Sequence, residues 1–595
     1  MHPRPAGDRT PPVSTPFEQA QPLLRPQALR LKTAPADRLA HAALLLMTAL
    51  MAVGLLAPLL ALLALLAQAF SPSINAADAA AHSAFDNFIA YFRSPALLAS
   101  LWNSVWVSLL VTVIVIPLAF GFAYALTRTC MAGKGVLRAV SLLPLLAPSL
   151  LSAISMIYWF GNQGALKAFW QSLGFASIYG APGVVLAQCF ATFPHALMIL
   201  VTALAVGDQR LYEAATALGA SAARQFWTVT APSARYGLVS AALVVFTLVI
   251  TDFGIPKVIG GNFNMLATDV FKLVIGQQDF QRGAVVALLL LAPAVLTYVI
   301  DMQVQKRQTA VLTAKSVVLQ PRPHALRDRI ALAGCWLAAA LMLAIFGMAV
   351  FASLASFWPY QLQPTLSHYT SGLVDAGVET AIFNSLKMAV CAAVAGPVIV
   401  FAGAYLLEKT KGAAWLRPLL RLLAMLPMAV PGLVLGLGYI FFFNAPGNPL
   451  NGLYQTMALM VLCTVMHYYT TGHMTMVTAL KSIDGEFEAV SASLKVPFYV
   501  TLRRVTLPMC LPALLEVSRY YFVAAMTTIS AVVFLYAPEN RLGAVAILNL
   551  DEAGDTAAAA AMAVLIALVS CVATVLYQVL GWWLTQRTQR WRQRV

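Results

Sequence analysis

The sequence predicts an all-α polytopic membrane protein with about twelve transmembrane helices in two parallel six-helix repeats. Of its 595 residues, 60% are hydrophobic and only 10% are charged, and the mean hydropathy is +0.78. That is more apolar surface than a soluble fold can bury. Two further observations support this fold class: many apolar segments follow one another along the chain, and short motifs recur at matched spacing in its two halves.

The apolar segments are predicted to be helices, because only helices and closed barrels satisfy the backbone hydrogen bonds within lipid. The first segment, from about His41 to Phe70, is longer than the roughly 7–15 apolar residues of a signal peptide and is expected to remain in the membrane. The predicted spans are 41–70, 104–127, 138–160, 181–204, 236–256, 284–303, 330–355, 382–407, 416–443, 455–480, 512–535 and 556–584.

Basic residues predict the orientation of these spans. With the amino terminus inside, the outer loops hold only six of the 38 Lys and Arg residues: Arg93, Lys167, Lys257, Lys272, Arg282 and Arg541. The positive-inside rule then places both ends of the chain in the cytoplasm. The net charge of +15 is spread over short loops and tails, so membrane lipid is the expected partner and nucleic acid is not.

The same pattern predicts the domain boundaries. Residues 1–40, rich in Pro and Arg, are expected to form a disordered cytoplasmic tail, and 586–595 a basic cytoplasmic tail. The first half covers 41–304 and the second half 330–585. Residues 305–329 form a basic cytoplasmic linker between them.

The chain is internally duplicated. Asn103 lies 21 residues before Tyr124, and Asn384 lies 21 residues before Tyr405. Two further pairs of motifs keep their spacing: LPLLAP at 143–148 with LPMAVP at 426–431, and VTAL at 201–204 with VTAL at 477–480, each VTAL ending 28 residues before a proline. Six spans separate the matching elements, so the copies have the same orientation and form a parallel repeat.

The loops 205–235 and 481–511 are predicted to lie in the cytoplasm. Each has about 30 residues, whereas most connections between helices have about 2–8. Their Ala, Glu and Leu content favours a short helix, and Gly219 permits the turn that ends it. Pro232 and Pro508 suit the first turns of the following spans. Two such helices on one side of the membrane predict a docking surface for a twofold partner.

The first loop resembles the EAA loop of permeases in binding-protein-dependent ABC importers. Its sequence EAATALGASAARQFWTVTAP supplies the Glu-Ala-Ala, glycine and proline positions of that motif, at Glu213, Ala214, Ala215, Gly219 and Pro232. By resemblance, these residues lie at the interface with an ATP-binding subunit.

The second loop, EAVSASLKVPFYVTLRRVTLP, matches the motif at its end, where Pro508 takes the proline position. It departs at its front. Lys495 occupies the glycine position, and Glu488 is displaced by one residue. By resemblance Glu488 also lies at the ATPase interface, and the departure predicts that the two loops couple unequally.

The resemblance implies the type I ABC importer permease fold and a division of labour. Two copies of a separate ATP-binding subunit dock on the EAA helices, and a periplasmic substrate-binding protein delivers the solute. The chain is then a multi-pass subunit of the bacterial inner membrane. It has no GxxxxGK[ST] motif to cradle ATP phosphates, so we expect no enzyme activity, no catalytic residues and no cofactor.

The fused double form resembles permeases of the ferric-iron and 2-aminoethylphosphonate type. Within that group, the stretch ITDFGIPKVIGGNFNMLATDVFK at 250–272, followed by VIGQQ, most resembles the 2-aminoethylphosphonate branch. The resemblance therefore implies 2-aminoethylphosphonate as the solute, with ferric iron or another small solute as the alternative.

Residues at the outer ends of spans five and eleven are candidates for the translocation pathway. Ionisable residues within the membrane are costly and are often functional. Asp252 follows Thr251 at the position where the second half has Thr528 after Thr527. Asp252 has a structural alternative, as a helix cap or as the partner of Lys257.

Two other patterns concern the spans themselves. The proline pairs in spans three and nine, which include Pro148 and Pro431, predict kinks in helices that line the pathway. Glu516 and Arg519 lie three residues apart, the spacing of an ion pair on one helix face.

No metal site is predicted. The seven cysteines show no CxxC or Cys/His spacing, and His195, His467 and His473 have no second ligand type nearby in the sequence. An ion-coupled secondary transporter would also use repeats and broken helices, but it requires ionisable relays deep in several spans, and this chain has few. A membrane enzyme would require clustered His and Asp residues or a nucleophile, which the sequence does not offer.

Overall fold

The computed structural model describes residues 35–71, 85–205, 207–308, 319–375, 377–410 and 415–588. Most of the predicted tail 1–40, the middle of the linker 305–329 and most of the tail 586–595 lie outside the described residues.

The described chain is almost entirely helical. The first half contains α1 (Pro35–Ala69), α2 (Asp86–Arg93), α3 (Pro95–Arg128), α4 (Lys134–Leu142), α5 (Ser149–Phe160), α6 (Lys167–Ser172), α7 (Ala181–Ala205), α8 (Gln209–Ala217), α9 (Ala222–Gln225), α10 (Ala231–Thr251), α11 (Gly254–Ile259), α12 (Leu266–Phe271) and α13 (Phe280–Gln308). The second half contains α14 (Ala325–Leu354), α15 (Ser371–Asp375), α16 (Glu379–Lys409), α17 (Arg417–Ala429), α18 (Gly432–Phe443), α19 (Met457–His467), α20 (Tyr469–Lys481), α21 (Glu486–Ser493), α22 (Phe498–Thr501), α23 (Leu507–Thr527), α24 (Gly543–Glu552) and α25 (Thr556–Thr588). The strands β1 (Ala355–Phe357) and β2 (Gln361–Pro364) form an antiparallel hairpin after α14.

The all-α membrane fold is confirmed, and the described residues contain eight to ten helices or helix pairs that qualify as candidate spans by length and composition. Eight of the described helices are long and apolar enough to cross a membrane: α1, α3, α7, α10 with the turns before it, α13, α14, α16 and α25. Two bent pairs, α4 with α5 and α17 with α18, raise the number of candidate spans to ten. The predicted number was about twelve.

The predicted spans ten and eleven account for the difference. Span ten, 455–480, is divided at Tyr468 into α19 and α20, and each is shorter than the roughly 20 residues that cross the lipid core. Span eleven, 512–535, is represented by α23, which ends before the predicted boundary. This helix carries Glu516 and Arg519, which lower its apolarity, and these two residues form the predicted i,i+3 ion pair.

Both segments with paired prolines are sharply bent, as predicted. α4 and the 3₁₀ turn after it (Leu143–Leu146) meet α5 at 101°, and α17 meets α18 at 109°. Each bend falls at the last proline of the repeated motif, Pro148 or Pro431, where the backbone is extended, with ψ of 145° and 142°. Proline cannot donate a hydrogen bond back along a helix, so the first helix ends and a new one begins.

The two halves pack in the same way. In the first half α3 packs against α7 and α10, and in the second half α16 packs against α20 and α23. These helices stand in the same order in both copies, and they carry the repeated motifs at equivalent places. The core of each half is therefore built on its second long helix.

The first helix of each half packs against the other half. α1 lies against α16 and α18, and α14 lies against α5 and α4. The approach is close, since a Cβ atom added at Gly438 of α18 would lie 2.5 Å from the carbonyl oxygen of Ala61 in α1. The halves are thus interlocked through an exchange of their first helices.

Candidate functional site

The first EAA loop forms a short capped helix outside the spans. α8 begins after Asp208, whose carboxylate accepts a hydrogen bond from the backbone N–H of Arg210 at 3.1 Å. The helix ends at Ala217, and Gly219, two residues later, has a left-handed backbone with φ of +72°. The N–H of Ala220 then donates to the carbonyl of Ala215 at 3.0 Å, the closing bond of a Schellman turn. Gly219 therefore performs the predicted role of ending the helix.

The second loop makes the same turn without glycine. Lys495, at the position of Gly219, has φ of +52°. The N–H of Val496 donates to the carbonyl of Ser491 at 2.9 Å, as in the first copy. The replacement of glycine by lysine therefore leaves the shape of the turn unchanged, although a left-handed backbone costs a residue with a Cβ atom about 1–2 kcal/mol.

Lys495→Gly is therefore expected to stabilise the second loop by about 1 kcal/mol, because glycine adopts the left-handed conformation without that cost. Hydrogen exchange of the α21 amides would measure the gain as slower local opening. Lys495→Ala is the matched control, since it removes the charge and keeps the Cβ atom. Equal protection in both variants would contradict the backbone explanation.

Both loops expose apolar side chains at equivalent positions. Leu218 is 86% exposed and Leu494 is 70% exposed, and each stands 14 residues before the proline of its loop. A single exposed leucine is common on a protein surface. Its recurrence at the same position of both loops is what a shared interaction surface requires. Glu213 is also exposed, and its carboxylate accepts a hydrogen bond from Gln209 at 2.7 Å. Ala214 is exposed and Ala215 is half-buried.

A π-helical turn connects each loop to the next span. The turns cover Phe226–Thr230 and Leu502–Thr506, and Pro232 and Pro508 follow in the first turns of α10 and α23, as predicted. In the first copy the hydroxyl groups of Tyr212 in α8 and Thr230 in this turn lie 2.9 Å apart. A displacement of α8 would therefore reach α10 through a hydrogen bond and a continuous backbone.

Each loop is also held by the end of a long helix. In the first half the Arg128 guanidinium lies 5.3 Å from the ring centroid of Tyr212 and donates to the carbonyl of Leu204 at 2.7 Å. In the second half the Lys409 ammonium lies 2.7 Å from the carboxylate of Glu488. Arg128 and Lys409 occupy equivalent positions of the repeat, as do Tyr212 and Glu488. A cation–π contact in the first half therefore takes the place of an ion pair in the second half.

Glu488 thus has a partner within the chain, in a position equivalent to Tyr212 rather than to Glu213. Sequence reasoning does not single out Arg128 or Lys409. A signal was nevertheless present, because each lies four residues after the repeated tyrosine of its half.

The pathway candidates of the first half meet at the bend of Pro148. Asp252 accepts hydrogen bonds from the Gln188 side chain at 2.8 Å, from the N–H of Ile255 at 3.0 Å and from the Ser149 hydroxyl at 3.5 Å. Asp252 therefore caps α11 and joins it to α5 and α7. Of the two structural alternatives, the cap is the one observed.

The corresponding residues of the second half have a similar arrangement. Thr528 is buried at the end of α23, and a Cβ atom at Gly432, next to Pro431, would lie 2.7 Å from the Ser530 hydroxyl. Thr251 and Thr527 instead donate hydrogen bonds to the carbonyls one turn earlier in their own helices, at 2.7 and 3.0 Å to Thr247 and Val523. In the first half the bend at Pro148 lies next to the end of predicted span five. In the second half the bend at Pro431 lies next to the end of predicted span eleven.

Lys257 pairs across the two halves and not with Asp252. Its ammonium lies 2.7 Å from the carboxylate of Glu552 in α24 and 5.2 Å from the ring centroid of Phe271. Phe271 in turn stacks on Phe534 of the second half, with centroids 6.2 Å apart. Lys257, Phe271, Phe534 and Glu552 thus form one contact between the two halves.

Among the described residues, no three His, Cys, Asp or Glu side chains come together as a group that could hold a metal ion. His473 is buried and stacks on Tyr469, with ring centroids 5.4 Å apart.

Comparison with known proteins gives matches in both halves. The chain is 28% identical over 458 residues to the ferric transport system permease protein FbpB of Actinobacillus pleuropneumoniae, a match that covers 74% of this chain and 65% of the relative. It is 29% identical over 445 residues to the putative ferric transport system permease protein FbpB 1 of Haemophilus influenzae, covering 72% and 69%. It is 25% identical over 504 residues to the probable ABC transporter permease protein y4fN of Sinorhizobium fredii, covering 82% and 87%.

The chain spans about two thirds of the length of the two ferric relatives. Residues 116–309 and 395–585 each match the family described as "binding-protein-dependent transport system inner membrane component". The two matches cover more than half of the chain and fall one in each copy of the repeat. The chain therefore belongs to this family of inner membrane transport components.

Proposed function

We propose that the chain is the transmembrane subunit of an ATP-driven importer, on which two ATP-binding subunits dock. The observation that carries this proposal is the pair of EAA helices, which expose Leu218 and Leu494 at equivalent positions beside equivalent turns. A partner with two identical binding surfaces fits such a pair. A periplasmic substrate-binding protein, by analogy with the family, delivers the solute to the opposite face.

In the proposed mechanism the ATP-binding subunits close and bring α8 and α21 together. The Tyr212–Thr230 bond and the π-helical turn pass this movement to α10, and Lys409 links the corresponding movement of α21 to α16. The ends of α10 and α23 adjoin the proline bends, so their displacement acts on the bent helices α5 and α18.

The proposed cellular location is the bacterial inner membrane. The distribution of Lys and Arg indicates that both ends of the chain lie in the cytoplasm. A reporter joined at Gln589 is expected to be cytoplasmic, and one inserted near Gly164 periplasmic. Reporters on the same side would contradict this orientation.

Ferric ion is the solute that we favour, because the two ferric permeases match most of the chain. 2-Aminoethylphosphonate is the second candidate, and it rests on the resemblance of residues 250–272. The test uses vesicles that contain the chain with its ATP-binding and receptor subunits. We expect ATP-dependent uptake of labelled ferric ion and none of labelled 2-aminoethylphosphonate; the reverse result would select the second solute.

The same vesicles distinguish an importer from a secondary transporter. Uptake by an importer requires ATP and continues when the ion gradients are removed. Uptake that needs a proton or sodium gradient and no ATP would contradict the proposed function for either solute.

A further inference from the structure

A large apolar groove lies between the first half and α14. Its volume is about 1150 Å³, and its walls come from α3, α5, α7 and α14. Leu337 and Leu341 on the α14 wall are 65% and 60% exposed, so the groove is open along the side of the bundle. The apolar lining includes Leu118, Phe122, Phe190, Leu337, Leu341 and Ile345. Since α3 and α14 are candidate spans, the open side faces the lipid.

One end of the groove is basic. Arg327 and Thr129 line it, and the Lys134 ammonium donates a hydrogen bond to the carbonyl of Thr129. Arg327 is 3.1 Å from the carboxylate of Asp328 and also donates to the carbonyl of Arg322. This end of the groove is thus bordered by two cations, Lys134 and Arg327, and by one carboxylate, that of Asp328. It lies on the same face as the EAA loops, because α3 ends there and contacts α8.

The described side chains pack differently at the two equivalent places of the repeat. At the equivalent place in the second half, Tyr469 fills the space between helices: a Cβ atom at Gly54 or Gly403 would lie 3.0 or 2.3 Å from its side chain. In the groove, a Cβ atom at Gly121 or Gly334 would meet nothing within 4 Å. The open space beside Gly121 and Gly334 therefore comes from the side chains of this part of the chain and not from the repeated backbone alone.

We propose that this groove binds an anionic phospholipid, with its acyl chains along α3 and α14 and its phosphate beside Lys134 and Arg327. Apolar walls open to the bilayer suit acyl chains, and a basic end at the membrane surface suits an anionic headgroup. Because cations outnumber carboxylates at that end, it attracts an anionic headgroup more strongly than a zwitterionic one. The proposal goes beyond transport and depends only on the membrane location.

The test is native mass spectrometry of the full chain in detergent, titrated with phosphatidylglycerol or phosphatidylethanolamine. We expect tighter binding of phosphatidylglycerol. Lys134→Gln and Arg327→Gln are each expected to weaken it about fivefold, in line with the effect of one basic residue at an anionic surface. Lys387→Gln, an exposed cation of the second half, is the matched control and should change nothing.

A second pair of variants tests the apolar part. Gly121→Phe places a ring in the groove and is expected to remove the bound lipid, whereas Val113→Phe, on an exposed face of the same helix, should not. Equal affinity of the unaltered chain for the two lipids would overturn the proposal. Unchanged affinity of both charge variants for phosphatidylglycerol, or binding of phosphatidylglycerol by a folded Gly121→Phe chain, would also overturn it.

Discussion

Glu213→Lys is expected to abolish solute uptake while the chain still accumulates in the membrane at its usual level. Glu213 is exposed on α8, and its carboxylate is bonded to Gln209 of the same helix. Substitutions at such surface positions usually change stability by about 0.5 kcal/mol or less. Like charges juxtaposed at an interface cost several kcal/mol, and about 1.4 kcal/mol is a tenfold loss of affinity, so the ATP-binding subunit should dissociate.

The measurement compares three quantities: uptake into cells, the amount of chain in isolated membranes, and the amount of ATP-binding subunit that copurifies with it. Glu379→Lys is the matched control, since Glu379 is an exposed glutamate at the start of α16, at the opposite end of that helix from the loop contact. Normal uptake by Glu213→Lys would mean that α8 is not the docking helix. A fall in the membrane level would instead indicate a folding defect.

Lys409→Glu is expected to release α21 from the end of α16 and to reduce uptake strongly. The Lys409 side chain is only 8% exposed, and its ammonium also donates to the carbonyl of Ile483 at 3.3 Å. Reversal of its charge leaves two carboxylates facing each other. Because Glu488 is 37% exposed, solvent screening reduces the penalty to about 2 kcal/mol. The docked state of α21 should then be disfavoured roughly thirtyfold.

Hydrogen exchange of the α21 amides would report the release directly, alongside uptake. The double variant Lys409→Glu with Glu488→Lys restores opposite charges and is expected to recover both protection and uptake. If the double variant is as impaired as the single one, the ion pair is not what holds α21.

The parts of the fold that follow from local sequence were predictable. Apolar length predicted most of the spans, and the paired prolines predicted the bends at Pro148 and Pro431. The EAA pattern predicted two short helices that end at Gly219 and at its counterpart. These features depend on residues close together in the chain, where composition and proline chemistry decide the backbone.

The features that were missed depend on contacts between distant residues. Pairing of Lys257 with Asp252, five residues away, was one of two structural alternatives, but the packing of the two halves gives Lys257 the carboxylate of Glu552 as its partner. The break at Tyr468 was also missed, because the segment around it is apolar enough to suggest one helix. The turn at Lys495 shows a third cause: the surrounding hydrogen bonds impose a left-handed backbone on a residue that does not favour it.

The exchange of first helices has a consequence for the order of biosynthesis. α1 leaves the ribosome long before α18, which begins about 360 residues after α1 ends; at about 5–20 residues per second this is a delay on the order of half a minute. During that time the face of α1 that later packs against α16 and α18 lacks those neighbours. This face is apolar, so lipid can cover it until the second half is inserted. The native core of the first-made helix is therefore completed only by residues that are translated late.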